Sequence, residues 1–374
     1  MDNNEEIVAL LRNIDSRLCA LEKGRFDFCN MLIQPALSKY TSRKEVDLIC
    51  DFDFPHSGKK GRFIPVIASN MDTVGTFSMC RVLAKRKMFT TLHKHYTKEE
   101  VDAFCTSLND EDFEYFAIST GIGSADYDKM AAILADNPRI QYICVDVANG
   151  YMLKLNEFLA QMRESYPDRT ILVGNVVSGD RTKELLQWAD VVKVGIGPGS
   201  VCTTRQEAGV GRSQAISVIE CSKAAQEMGG YVISDGGCNN VGNIAQAFVC
   251  GADMVMLGGM FSGTDEAEAE ILVDKNGKKW LNFHGMSSRE AMERHYKDFD
   301  ERMTYRASEG RSIYVAYKGP ADMIAQKILG GLRSTVTYTG VDGLLQLRQA
   351  KYDILSSFNN GINENLAMLS NPQW

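Results

Sequence analysis

From Phe63 onward the chain alternates between two hydrophobic patterns. Short, β-branched apolar runs occupy Phe63–Ser69, Phe89–Leu92, Tyr115–Ser119, Tyr142–Val147, Thr170–Val173, Val191–Val194, Tyr231–Ser234 and Met254–Leu257, eight in all. Between them lie amphipathic stretches at helical spacing, including Ala125–Asp136, Leu153–Ser165, Thr182–Trp188, Ala215–Met228 and Asn243–Cys250. The runs lack strict apolar–polar alternation, as expected of strands covered on both faces. Strand–helix alternation implies parallel strands with right-handed crossovers. Eight such units in roughly 200 residues predict an α/β fold of the (β/α)8 TIM-barrel type rather than an open doubly wound sheet.

Three features break the repeat. Ile7, Leu11, Ile14, Leu18 and Leu21 recur at spacings of 4, 3, 4 and 3, which predicts an N-terminal amphipathic helix within residues 1–24, ahead of a single catalytic domain over 25–374. That helix either lies on its own domain or forms a short association seam. The connection Gly195–Gly230 is long and glycine-rich, and long connections are commonly functional. After the eighth strand, Ile271–Asp274 and Lys279–Phe283 flank Asn276-Gly277, a strong hairpin signal. The polar, charged run Ser288–Lys318 follows, before a last amphipathic helix at Ala321–Leu332. The insertion over about 264–318 is read as a mobile flap above the barrel rim.

Composition narrows the function classes. A chain of 374 residues that is 44% hydrophobic and 24% charged is a globular protein, not a disordered one. The net charge of −7 disfavours nucleic-acid and membrane-surface partners. No apolar run approaches the ~20 residues of a membrane span, and the acidic start lacks the basic front of a signal peptide, so a cytoplasmic location is expected. The 10 cysteines form no Cys-x-x-Cys pair and read as reduced thiols, most of them small buried hydrophobes.

In a (β/α)8 barrel, chemistry sits at the carboxyl ends of the strands. Those ends carry Asn70-Met71-Asp72, His93-Lys94-His95, Thr120-Gly121, Asp146, Gly174-Asn175, Gly195–Thr204, Asp235-Gly236-Gly237 and Gly258-Gly259. The loop Val194–Arg205 is the most specific of these. Its position and Pro198 argue against a dinucleotide fingerprint. Converging carbonyls there suit a hard monovalent cation, and converging amides suit an anion. Cys202 lies in this loop beside Thr203, Thr204 and Arg205. A nearby cation or loop amides would raise its thiolate fraction, so it reads as a nucleophile, against the alternative of a buried structural thiol. The glycine pairs after strands seven and eight suit a nucleotide phosphate, with Asp235 placed to accept ribose hydroxyls. In the flap, Glu309 within Tyr305–Gly310 is either an exposed loop charge or an acid folded over a ligand.

The motifs at 68–77 (ASNMDTVGTF), 93–96 (HKHY), 146–151 (DVANGY), 194–205 (VGIGPGSVCTTR), 234–237 (SDGG), 257–260 (LGGM), 285–288 (GMSS) and 305–310 (YRASEG) occur in the order of one family. On them the chain resembles the IMP dehydrogenase/GMP reductase family, from about Phe26 to about Gly340. Within it the chain is similar to the reductase branch. Only one helix's worth of sequence separates the second and third strands, where dehydrogenases usually insert CBS modules. Three positions depart from the usual reductase pattern: Gly211-Arg212-Ser213-Gln214, the weakly basic Ala36–Thr41, and His284 where a Tyr is common.

The resemblance implies reductive deamination of GMP to IMP with NADPH, through a covalent thioimidate on Cys202, with Thr204 and Glu309 handling protons. It implies substrate contacts from Asp235, Gly236, Gly237, Gly258, Gly259, Gly285, Met286, Ser287, Arg306, Ser308 and Gly310. It implies NADPH contacts from Lys94, Asp146, Val147, Ala148, Ile196, Gly197 and Tyr305, with Ser42, Arg43, Ser334 and Thr335 at the adenosine end across a subunit boundary. A potassium-like ion would sit on Gly197, Gly199 and Cys202 with Arg205 close by, in a homotetramer. The alternatives are an IMP dehydrogenase lacking CBS modules and a non-catalytic purine-nucleotide-binding barrel.

Overall fold

The computed structural model describes residues 26–296, 304–305 and 307–355. The predicted N-terminal helix and Arg306 lie outside these. In chain order the strands are β1 (Met31–Ile33), β2 (Cys50–Asp53), β3 (Lys60–Ala68), β4 (Met88–Thr91), β5 (Phe116–Thr120), β6 (Tyr142–Asp146), β7 (Thr170–Val176), β8 (Val191–Val194), β9 (Tyr231–Asp235), β10 (Met254–Leu257), β11 (Ile271–Val273), β12 (Lys279–His284), β13 (Ser312–Ala316) and β14 (Tyr352–Ile354). Strands β3 to β10 pair successively in parallel, and β10 returns to pair with β3. This is the closed eight-stranded barrel expected from the alternation.

The helices follow as α1 (Phe77–Ala84), α2 (Lys98–Thr106), α3 (Ser124–Asp136), α4 (Leu153–Ser165), α5 (Gly179–Leu185), the short α6 (Thr204–Glu207), α7 (Gln214–Met228), α8 (Val241–Val249), α9 (Arg289–His295) and α10 (Ala321–Thr339). Local chemistry sets their starts. Thr76, Ser213, Asn240 and Ser288 each accept a hydrogen bond from a first-turn amide of the helix that follows. Thr97 and Glu100 make a reciprocal capping box at α2. Helix α5 begins three residues before the predicted Thr182, because Gly179 lets it pack closely on α7: a Cβ there would lie 3.3 Å from Ala224.

The barrel's amino end is plugged. β2 folds back antiparallel on β3. It brings Phe52 and Phe54 against Phe63, Tyr142 and Tyr231 in stacked and edge-on contacts. Packing of these rings closes the amino end of the barrel, which leaves the carboxyl rim to bind ligands.

The segment after β10 holds more regular structure than a polar flap suggests. The hairpin β11–β12 turns at Asn276-Gly277 as predicted, with the Asp274 carboxylate accepting from the Asn276 and Lys278 amides at 2.9 Å. Ser312–Ala316, read as part of the polar run, is a third strand pairing antiparallel with β12. Arg289–His295 is a helix. No helix of the described residues is long and apolar enough to cross a membrane.

Candidate active site

Three segments meet over the barrel rim: the loop after β8, the turn after β12, and the strap leading into β13. The Thr203 amide donates to the Glu309 carbonyl at 2.9 Å, and the Arg311 amide donates to the Val201 carbonyl at 2.9 Å. The Arg311 guanidinium adds two donors to the Ser200 carbonyl, at 2.8 and 3.1 Å. Gly310 makes bridges to both Cys202 and Ser288. Backbone contact this close needs glycine: a Cβ on Gly285 would lie 2.8 Å from the Val201 oxygen.

This stapling sets a short polar chain. Cys202 Sγ lies 3.3 Å from Thr204 Oγ1, and Thr204 Oγ1 donates to Glu309 Oε2 at 2.8 Å. Cys202 is half-buried. Elsewhere burial pushes thiols up, to about 12 at Cys50, Cys144 and Cys221 and about 11 at Cys105, which keeps them protonated at neutral pH. Cys202 is thus set apart by its place at the rim and by a hydroxyl–carboxylate pair within reach.

Several of the expected substrate residues among those described lie on the same rim. Ser308 Oγ donates to the Ser287 carbonyl, and the Met286 sulfur lies 3.4 Å from the Asp72 amide. Gly258 and Gly259 lie beside Met71 and Ser200, and Gly236 and Gly237 lie against Pro198. Gly236 has φ +91°, and a Cβ there would lie 2.9 Å from the Pro198 ring, so this turn both needs glycine and leaves its backbone bare toward the rim.

A second cluster lies across the barrel mouth. Asp146 ends β6 with a third of its side chain exposed; burial alone would raise its carboxyl, but Lys193, then Asn70 and Lys94, hold it below the ordinary range. Lys94 itself pairs with Asp126 at 3.0 Å. Val147 is half-buried, and Ala148 and Tyr305 are exposed. Gly197 packs under the Arg205 side chain next to Ile196. Ser42 and Arg43 are exposed on a short turn that touches α10, the helix carrying Ser334 and Thr335. Both of those hydroxyls donate back to carbonyls of their own helix.

The sequence reading assigned no role to Lys193. It is 1% exposed in the middle of β8, yet its ammonium lies 2.5 Å from Asp146 Oδ1 and 3.3 Å from Asp235 Oδ2. The signal was a lysine inside an otherwise apolar Val-Val-Lys-Val strand, where a charge is tolerated only if paired.

Four of the 5 histidines also collect at the rim, around the buried Asp72. His295 Nε2 lies 2.7 Å from Asp72 Oδ2 and His284 Nε2 3.0 Å from Oδ1. Arg294 Nη1 lies 3.6 Å from Oδ2. Burial alone would raise the Asp72 carboxyl, but the hydrogen bonds from His284 and His295 outweigh it and hold it well below the carboxylate range. His95 stacks on His295 with ring centres 3.5 Å apart. Burial pushes His93 down to about 4 and His95 down to about 3.

Both imidazoles therefore stay neutral in the fold until the pH is far below the ordinary 6.5. The unfolded chain takes up protons first, so stability is full above pH ~6.5 and falls as the pH drops toward 4, at up to ~1.4 kcal/mol per pH unit for each histidine. Calorimetric unfolding is expected to show a lower midpoint at pH 5 than at pH 7.5. The dependence should be shallower in His95→Phe, and an equal slope in that variant would refute this origin.

A closed parallel barrel with its polar groups and a glycine-bound cysteine loop at the carboxyl rim defines a (β/α)8-barrel enzyme architecture. Residues 25–367 match the model for the IMP dehydrogenase/GMP reductase domain. The chain is 48% identical to a GMP reductase of Caenorhabditis elegans over 86% of its own length and 89% of that protein's. It is 48% identical to GMP reductases of Klebsiella pneumoniae and Escherichia coli, over 87% of this chain and 93% of each relative. The chain belongs to the IMP dehydrogenase/GMP reductase family.

Proposed function

We infer that this chain is a GMP reductase, taking GMP, NADPH and protons to IMP, NADP+ and ammonium. The observation that carries the reading is the Cys202–Thr204–Glu309 hydrogen-bonded chain at the barrel rim, in a family member similar to GMP reductases over most of its length.

Cys202 acts as thiolate and adds to purine carbon 2, forming a carbon–sulfur bond. Thr204 and Glu309 deliver a proton to the 2-amino group, the carbon–nitrogen bond breaks, and ammonia leaves a thioimidate on the sulfur. Covalent catalysis divides one difficult substitution into two easier ones. NADPH, when bound, supplies the hydride that carbon 2 accepts. Cys202 then recovers its electron pair as the carbon–sulfur bond breaks and IMP departs. Asp235 orients the ribose, and the Gly236-Gly237 and Gly258-Gly259 turns, with Gly285, Met286, Ser287, Arg306, Ser308 and Gly310, seat the phosphate and base.

The residues at hand fit the reductant. Asp146 presents a partly exposed carboxylate to a carboxamide, and Lys94 presents a cation beside it. Val147, Ala148, Ile196, Gly197 and Tyr305 complete that end. Ser42, Arg43, Ser334 and Thr335 serve the adenosine end of a neighbouring subunit in a homotetramer. A potassium-like ion would be held by carbonyl oxygens of Gly197, Gly199 and Cys202, with the Arg205 side chain packed against Gly197. The enzyme is cytoplasmic in this reading.

The test is turnover with identified product. GMP is expected to drive oxidation of NADPH with IMP and ammonia formed in equal amounts. If neither NADPH nor NADH is oxidised with GMP, the reading fails. IMP-dependent reduction of NAD with formation of XMP would assign the dehydrogenase activity instead.

A further inference from the structure

Asp146 and Asp235 belong to two different parts of the proposed site, yet one buried ammonium touches both. Lys193 Nζ lies 2.5 Å from Asp146 Oδ1, 3.3 Å from Asp235 Oδ2 and 3.4 Å from Asn70 Oδ1. Asn175 Nδ2 fixes the same Asp235 oxygen at 2.9 Å and the Gly195 carbonyl at 2.8 Å. The Lys193 side chain is 1% exposed, whereas the Asp146 and Asp235 side chains keep 33% and 19% of their surface open at the rim. The acids can meet a ligand and the lysine cannot.

We propose that Lys193 is a positioning residue that couples the two halves of the site, holding the Asp146 carboxylate toward the reductant and the Asp235 carboxylate toward the ribose of the nucleotide. This rests on the GMP reductase reading given above. The physical basis is charge balance under the rim. Burial alone would discharge the ammonium, but Asp146 and then Asp235 outweigh it and hold it charged. The other ionisable groups that face this cluster are Cys144, whose thiol stays protonated, and Lys94, which lies near Asp146. Without the Lys193 charge, two carboxylates confront each other in a desolvated site. Like charges so placed share a proton, and one carboxyl titrates at a raised pH. A protonated Asp146 or Asp235 loses an acceptor for its ligand. One missing charge should therefore weaken two ligands together, in a pH-dependent way.

The experiment compares wild type, Lys193→Met and Lys193→Met/Asp146→Asn. It measures GMP affinity by calorimetry, and kcat/KM for GMP and for NADPH, from pH 6 to 9. Lys193→Met is expected to lower kcat/KM for both substrates by at least tenfold at pH 7, with the deficit shrinking as the pH rises. The double variant, with one acid neutralised, is expected to regain GMP affinity that no longer depends on pH. A uniform loss across the pH range, or a loss confined to one substrate, overturns the proposal. If Lys193→Met does not fold, Lys193→Arg carries the test. Keeping the charge with altered reach, it should shift both KM values and leave the shape of the pH profiles as in wild type, and a shift in only one KM, no shift in either, or a new pH limb overturns the coupling. Wild-type protein that binds no GMP sinks the functional reading itself, a result separate from any of these.

Discussion

Cys202→Ser is expected to bind GMP within a few-fold of the wild-type affinity and to turn it over at least on the order of 10^4-fold more slowly. The two halves of that expectation come from different atoms. In the function proposed above, affinity would reside in the backbone turns at Gly236-Gly237 and Gly258-Gly259 and in the Asp235 carboxylate. Turnover, in that reading, would reside in the sulfur. A serine hydroxyl occupies nearly the same place between the loop and Thr204 Oγ1, but it ionises far less readily than a thiol and leaves a carbon–oxygen bond that is harder to expel. Loss of a nucleophile acting with its partners as one unit costs factors of this size in enzymes generally. Calorimetric titration with GMP and a nicotinamide absorbance assay separate the two halves. Mass spectrometry of wild-type protein quenched with GMP in the absence of reductant should find a purine adduct on the peptide carrying Cys202, and the variant should show none. A Ser variant retaining a tenth of the wild-type rate would require another nucleophile.

Most of the architecture was legible because the barrel strands are covered on both faces. That burial writes itself into the chain as short, mostly apolar runs, and all eight runs lie on barrel strands. The gathering of rim residues was legible for the same reason, since strand ends in a parallel barrel converge on one side. What failed to show was decided by partners distant in sequence. Ser312–Ala316 is five residues long, and only its pairing with Lys279–His284 makes it a strand. Alone, its Ser-Ile-Tyr-Val-Ala reads as an apolar patch inside a charged run. Helix α10 continues past Leu332 to Thr339 because Gly340, at φ +70°, provides the stop rather than the weakening apolar stripe. Lys193 carried a signal in its apolar setting, but its partners lie 47 and 42 residues away, at the ends of β6 and β9. The gathering of His93, His95, His284 and His295 around Asp72 likewise draws on two barrel loops and two flap elements, and only the folded chain brings them together.

Glu309→Gln is expected to reduce kcat by about 10^2 to 10^4, the range for loss of a group that moves a proton in the transition state. It should leave GMP affinity little changed. The geometry adds a sharper expectation than the size of the loss. Glu309 does not touch Cys202 directly but reaches it through the Thr204 hydroxyl, which donates to the carboxylate at 2.8 Å and lies 3.3 Å from the sulfur. If protons travel that line, removing either member disables the same step. Thr204→Val should then cost nearly as much as Glu309→Gln, and the double variant hardly more than either alone. Independent contributions would multiply instead, giving a double loss near the product of the two. The backbone of Glu309 argues that the glutamine change is local, since its carbonyl accepts from the Thr203 amide at 2.9 Å whatever the side chain is. Steady-state rates for the four proteins at one pH complete the cycle. A multiplicative result would mean that Thr204 and Glu309 act at separate points and that the hydrogen-bonded line is not the proton path.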